Sequence, residues 1–311
     1  MTEGFASAGA IAVAFALDRL FGEPPARVHP VVWMGTALAS IGAPWPRRSQ
    51  RLQFVWGALA WLGGAGAVVA IAALAVVLTR RVPLAPPWAV LAQALILGLL
   101  LKPLLAWRML RDEVAGVERS LATGVEAGRR CLSRLVSRDT RQLSAIEVRE
   151  SALESLAENL NDSLVAPLFW FACGGLPAAA LYRFANTADA MWGYRGPWEW
   201  AGKWSAHADD LLSYVPARLT ALLLAVAKPR TPLGLKTVAR VTPSPNSGWP
   251  MGMLALALGV CLRKPGVYAL NPAGAQPSAV HTEHALRLCT RAAWLAVGLS
   301  GALLALIAAR R

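Results

Sequence analysis

The chain has 311 residues, of which 56% are hydrophobic and only 16% charged, with a mean hydropathy of +0.44. That balance excludes an ordinary soluble globular domain and points to the lipid bilayer as a partner. The formal net charge of +13 would suggest nucleic acid in a soluble protein, but here the arginines flank apolar runs. The charge therefore reads as membrane topology plus attraction to anionic headgroups, with no nucleic-acid partner expected.

In chain order, apolar segments fall at about Gly4–Leu17, Gln53–Thr79, Trp88–Trp107 and Ala292–Ala309. A span takes roughly 20 residues, so the middle two are the clearest and the first is short. The first ends in Asp18-Arg19 rather than in a small-residue cleavage site, so it reads as a retained helix. Leu164–Leu181, Asp210–Ala227 and Trp249–Leu262 are apolar but interrupted by Pro167, Gly174, Gly175, Pro177, Pro216 and Gly259, a pattern of short, re-entrant or buried helices. The stretch Arg263–Ser278 reads as an irregular loop, and little in the chain reads as strand.

Basic residues cluster at Arg47, Arg48 and Arg51 and again at Arg108, Arg111, Arg119, Arg129, Arg130, Arg134, Arg138 and Arg141. Two predicted spans separate the clusters, which places both on one side, the cytoplasm. Between them and Asn161, Leu132, Leu135, Leu143, Ile146, Leu153 and Leu156 recur at helical intervals, as in amphipathic cytoplasmic helices. The expectation is an all-α, polytopic integral membrane protein with about four to six transmembrane helices. It reads as a single membrane-embedded domain over 1–311, with a cytoplasmic helical segment at 108–162. Cys131, Cys173, Cys261 and Cys289 are scattered and read as unpaired thiols.

The chemistry-bearing residues concentrate in a few places. Ser155, Glu158, Asn159 and Asp162 are spaced to share one helix face, with Leu153, Leu156, Leu160 and Leu164 largely opposite. The carboxylates Glu150, Glu154, Glu158 and Asp162 lie four apart and repel unless cations intervene; arginines would do this, and so would magnesium held by Glu158 and Asp162. Arg183, Asn186, Asp189, Asp209, Asp210 and Arg218 flank or enter apolar segments, where ionisable groups face a cavity or a partner. Asp18, Arg19, Glu23 and His29 form a dense polar turn at a membrane boundary, and Arg138-Asp139 a second, together suggesting a pocket.

Two superficial motifs are rejected. Gly202-Lys203 lacks the phosphate-loop frame, having Pro197 and Trp204 where a Gly and a Ser or Thr are needed. His281-Thr282-Glu283-His284 has the wrong order for a zinc metalloprotease and reads as a helix-terminal cluster.

Six longer segments in order carry a resemblance: DRLFGEPPARVHPVVWMG from Asp18, SRDT from Ser137, ESLAENLNDSLVAPLF from Glu154, YRFANTADAMWGY from Tyr182, SAHADDLLSYVPARLT from Ser205 and SPNSGWP from Ser244. In them the chain resembles the adenosylcobinamide-phosphate synthases, the CobD/CbiB family of cobalamin biosynthesis. It departs from the family's usual pattern at Thr242, before Pro243, at Met251, after Pro250, and at Leu160, Asn161 and Ser163 around Asp162. The loop Arg195–Lys203 differs too.

The resemblance implies a membrane ligase with ATP and Mg²⁺ as co-substrate and cofactor. Its substrates would be adenosylcobyric acid and (R)-1-aminopropan-2-ol or its phosphate, and its partners the other late enzymes of the pathway. Glu158, Asp162, Asp189, Asp209 and Asp210 would then hold metal or accept the amine proton, and Arg19, Arg138, Arg183 and Arg218 would neutralise phosphate charge. Asn186, Ser244 and Asn246 would offer neutral hydrogen bonds. The competing readings are a corrinoid-binding or transport protein and a non-catalytic scaffold, although the inverted repeat of many transporters is not visible.

Overall fold

A computed structural model describes residues 2–43, 45, 48–81, 84–85, 88–193, 196, 198–229 and 234–310. Arg47, Arg195 and Pro197, used in the sequence reading, lie outside the described residues, as does Tyr194. The all-α expectation holds: the helices are α1 (Thr2–Phe21), α2 (Pro30–Gly42), α3 (Gln50–Thr79), α4 (Trp88–Leu101), α5 (Trp107–Thr123), α6 (Val125–Leu132), α7 (Ala145–Leu160), α8 (Ala166–Trp192), α9 (Glu199–Ala227), α10 (Leu235–Ala239), α11 (Gly248–Leu258) and α12 (Ala279–Ala309). Among the described residues, 6 helical stretches are long and apolar enough to cross a membrane. The short first segment is one of them, because its helix continues to Phe21.

The chain divides into two compact units. The first comprises Met1–Ala106, Ala166–Ser213 and Val297–Arg311. In it α1 packs on α4, and a side chain at Gly98 would collide with Val13 and with the Ala10 carbonyl, so the two backbones approach as small residues permit in membrane helices. Gly64 of α3 similarly sits beneath the Phe184 ring of α8. Leu38, Trp45, Phe184 and Trp192 form a buried apolar cluster with Trp198 against it. On α3, Leu59, Leu62, Ile71 and Leu74 are exposed, an arrangement that lipid accommodates and water would not. Gly174 and Gly175 interrupt α8, the latter with φ of 67°, a conformation that glycine adopts without steric penalty. This is one of the breaks expected from the sequence.

The second unit comprises Trp107–Val165 and Tyr214–Ala296. Its centre is α7, packed by α5, α6, α11 and a two-stranded hairpin. The start of α7 is fixed by a capping box, in which Ser144 Oγ accepts from the Glu147 N–H at 3.3 Å and the Ser144 N–H donates to Glu147 Oε2 at 2.7 Å. The helix is buried nearly all round, including Glu150 and Glu154, so it is a core helix rather than the surface amphipath expected.

Two further expectations need correction. Part of Arg263–Ser278 is not irregular: β1 (Leu262–Lys264) pairs antiparallel with β2 (Tyr268–Leu270), anchored by the buried Leu262 and Leu270 opposite each other. The run is too short for an alternating pattern to show in the sequence. The Trp-rich segment after Arg195 is also not a loop throughout, since α9 already begins at Glu199 and continues through Pro216.

Candidate functional site

Arginines meet two of the four-spaced carboxylates of α7. Arg263 Nε donates to Glu150 Oε1 at 3.0 Å, and Arg138 Nη2 donates to Glu154 Oε2 at 2.8 Å. The intervening-cation reading thus holds for Glu150 and Glu154. Glu158, one turn further on, makes no ion pair among the described residues and sits among the like charges of Asp162 and Glu154.

Glu158 opens instead into a concavity of about 330 Å³ within the second unit, lined also by Arg138, Glu154, Ser155, Asn159 and Lys264. Tyr268 and Ser244 also line it. Lys264 and Tyr268 are cross-strand partners at the turn end of the hairpin, which presents them side by side. Burial first, then the neighbouring Glu154 and Glu158 carboxylates, pushes the Tyr268 phenol above its ordinary value, so it remains a donor through the alkaline range.

The Ser244 side is built by a turn. Ser244 Oγ accepts the N–H groups of Asn246 at 3.1 Å and Ser247 at 3.3 Å, leading directly into α11. Arg218 clamps that turn: its guanidinium donates to Asn246 Oδ1 at 3.1 Å and to the Pro245 carbonyl at 3.3 Å, and lies 3.5 Å from the Tyr214 ring centroid. Thr242 Oγ1 lies 3.0 Å from the Ser244 carbonyl, and Met251 lines the concavity, so both departures from the family pattern touch this wall.

Past α7 the chain makes one π-helical turn, Asn161–Val165. Asn161 Nδ2 donates to Asp162 Oδ1 at 2.8 Å, and Thr220 Oγ1 lies 3.1 Å from Asn161 Oδ1. Such turns re-aim side chains and recur at functional sites. Asp139 is drawn to the surface by Arg141, whose hydrogen bonds hold its carboxyl down to about 2.

The first unit holds two other groups of the predicted residues. Lys102 Nζ lies 3.1 Å from Asp18 Oδ1 and 2.9 Å from Glu23 Oε1, and Glu23 Oε2 lies 2.9 Å from His29 Nε2. His29 Nδ1 accepts the Val31 N–H at 3.2 Å, capping α2, so the ring donates from Nε2 to Glu23. Burial raises Glu23, but the hydrogen bonds from His29 and Lys102 outweigh it and hold the carboxyl below its ordinary value. Arg19 is in the last turn of α1 beside this cluster in sequence. In the second group, Arg183 Nη1 donates to Asn186 Oδ1 and Asn186 Nδ2 to Asp209 Oδ1, each at 3.3 Å. Asp189 backs closely on Gly193, and Asp210 follows Asp209 on α9.

Sequence reasoning missed Lys102, Lys264 and Tyr268. Lys102 had a legible signal, a lone cation inside the run Leu99–Leu105. Lys264 and Tyr268 had none, because the hairpin that aims them was not foreseen.

These features define a polytopic helical membrane protein that keeps a pocket of mixed charge beside a buried acidic helix. The sequence profile of the CobD/Cbib protein family matches residues 11–293. The chain is 40% identical over 286 residues to the probable cobalamin biosynthesis protein CobD of Thermococcus kodakarensis, covering 92% of this chain and 90% of that protein. It is also 40% identical over 271 residues to the cobalamin biosynthesis protein CobD of Rhodobacter capsulatus, covering 84% and 83%. No solved structure matches. The chain belongs to the CobD/CbiB family, a family of cobalamin biosynthesis proteins.

Proposed function

We propose that this protein is an ATP-dependent amide-forming ligase. It would join (R)-1-aminopropan-2-ol or its O-phosphate to a propionate carboxylate of adenosylcobyric acid, giving adenosylcobinamide or its phosphate. The observation that carries the reading is the second unit's concavity, where the cations Arg138 and Lys264 share a wall with the carboxylate Glu158. At about 330 Å³ it suits one side arm of a corrinoid and a small aminoalcohol, not the macrocycle.

A carboxylate and an ammonium do not condense unaided in water. In the proposed sequence the substrate carboxylate oxygen attacks the γ-phosphorus of ATP, releasing ADP and leaving an acyl phosphate; the amine nitrogen then attacks the carbonyl carbon and inorganic phosphate departs. Arg138 and Lys264 supply positive charge for the carboxylate and phosphate oxygens. Glu158 takes the proton that the amine must lose. Ser155, Asn159 and Ser244 donate to or accept from the amide rim and the aminoalcohol hydroxyl.

Magnesium fits this donor set. Asp162 offers a hard carboxylate oxygen whose repulsion with the neighbouring Glu158 a divalent ion would relieve, and Mg²⁺ commonly takes one or two carboxylates plus substrate phosphate. When bound, it would neutralise phosphate charge. Asp189, Asp209 and Asp210, with Arg183 and Asn186, are assigned to substrate handling in the first unit. The active face is assigned to the cytoplasmic side of the cell membrane, where the other late pathway enzymes would be partners.

The test uses the full chain in detergent with adenosylcobyric acid, either amine, ATP and Mg²⁺, with corrinoid products followed by mass spectrometry. Product from the wild type, slowed at least about a hundredfold in Glu158→Gln or Asp162→Ala, supports the ligase. Corrinoid binding without product from either amine would replace it with a binding or transport role.

A further inference from the structure

The first part of α12 is polar, and the apolar run begins only at Ala292. His284, Arg287, Leu288 and Arg291 are spaced by three or four residues and so share one face. With Lys228, just past α9, and Leu258, at the end of α11, they line a concavity of about 380 Å³ in the second unit. Among the described residues every ionisable group in that lining is basic.

Two of the cations have partners, and neither partner removes the positive field. Arg287 Nη2 lies 2.9 Å from Glu283 Oε2, with both side chains more than half exposed, and such pairs are weak. Lys228 Nζ donates to the Ala257 carbonyl at the C-terminal end of α11. That bond offsets the partial negative charge of a helix end, which would otherwise repel an anion.

The surroundings indicate what kind of anion. Arg291 immediately precedes the apolar part of a candidate span. Trp294 lies three residues beyond Arg291 and seven beyond Arg287, on the same face, and is 55% exposed. Tryptophan at this position marks the headgroup level of a bilayer. A nucleotide site would be expected to offer a helix N-terminus or a glycine-rich backbone to its phosphates, whereas this wall contains the C-terminal ends of α9 and α11.

We propose that this concavity binds the phosphate of an anionic membrane lipid, held by Arg287, Arg291 and Lys228 with His284 at its edge. The proposal does not depend on the ligase reading, because its site, ligand and readout are separate.

The experiment is native mass spectrometry of the full chain released from nanodiscs of phosphatidylcholine doped with phosphatidylglycerol. Wild type is expected to retain phosphatidylglycerol in preference to phosphatidylcholine. Arg287→Gln with Arg291→Gln is expected to lower the retained fraction on the order of tenfold, from the contribution of each cation near an anionic headgroup. Arg287→Lys with Arg291→Lys should keep most of the binding and verifies that the face tolerates substitution. Arg51→Gln with Arg119→Gln, which removes equal charge elsewhere, should change nothing. Equal retention by the glutamine pair and wild type, or equal loss in the Arg51 and Arg119 control, would overturn the site. Displacement of the lipid by inorganic phosphate at comparable concentration would overturn its assignment to lipid.

Discussion

Arg138 Nη2 donates to Glu154 Oε2 at 2.8 Å, with the Glu154 side chain only 3% exposed. Its other oxygen, Oε1, is buried, and the Tyr268 phenol is the neutral hydrogen-bonding group beside the carboxylate. The carboxylate is thus held in the core of α7 largely by one cation. Arg138→Leu would leave that charge uncompensated, at a cost of about 3–5 kcal/mol. Glu154→Gln should cost less, because it removes the buried charge and Arg138, 22% exposed, can turn to water. Unfolding in detergent should rank the variants in that order; the reverse ranking would mean that the pair does not set the stability of this wall.

Glu158 differs from Glu154 in having no ion pair among the described residues. Its substitution should therefore separate chemistry from folding. Glu158→Gln is expected to keep or raise the unfolding midpoint, because it removes a charge that Asp162 and Glu154 repel, while amide formation falls about 10²- to 10⁴-fold, the usual range for a lost proton acceptor. Glu154→Gln should lower activity and stability together. Full activity in Glu158→Gln would place the base on another residue.

How much of this was legible beforehand depends on the kind of signal. The spans were readable because lipid imposes long apolar runs, and the broken ones because Gly174, Gly175 and Pro177 interrupt the run that became α8. The acidic face of α7 was readable from its spacing, but its burial was not, since four-spaced carboxylates look the same on a surface as in a core until Arg138 and Arg263 are placed beside them. Those arginines come from outside the helix, as do Lys264 and Tyr268 on the hairpin, and sequence spacing cannot bring distant segments together. The polar turn that carries His29 was readable as a cap or as part of a pocket, and only the Val31 N–H shows that His29 caps a helix.

Lys102 sits between Asp18 and Glu23, at 3.1 and 2.9 Å. Lys102→Met would leave both carboxylates without their shared cation, a loss of about 3–5 kcal/mol for a buried pair broken from one side. Glu23 adds a pH dependence of defined sign. Its folded-state pKa lies below the ordinary 4.5, so its contribution is complete above that value and disappears as pH falls through the lower folded-state pKa. Thermal melts of the wild type should therefore weaken on acidification below about 4.5, and Glu23→Gln should flatten that slope while lowering stability at neutral pH. An unchanged slope in Glu23→Gln would assign the acid sensitivity to other carboxylates.

Arg218 is expected to act through the turn it holds rather than through substrate. Its guanidinium reaches the Pro245 carbonyl and Asn246 Oδ1 while lying over the rings of Tyr214, at 3.5 Å, and Trp249, at 4.7 Å. Lysine keeps the charge but has neither the planar fork nor the stacking face. Arg218→Lys should therefore loosen the Ser244–Ser247 turn, raising KM for the aminoalcohol several-fold while kcat changes little, because Arg138, Lys264 and Glu158 are untouched. Arg218→Ala should add a loss of roughly 1–2 kcal/mol in stability from the lost cation–π and charged hydrogen bonds. A fall in kcat at unchanged KM would instead put the guanidinium in contact with the reacting groups, a result that steady-state kinetics over both substrates would show directly.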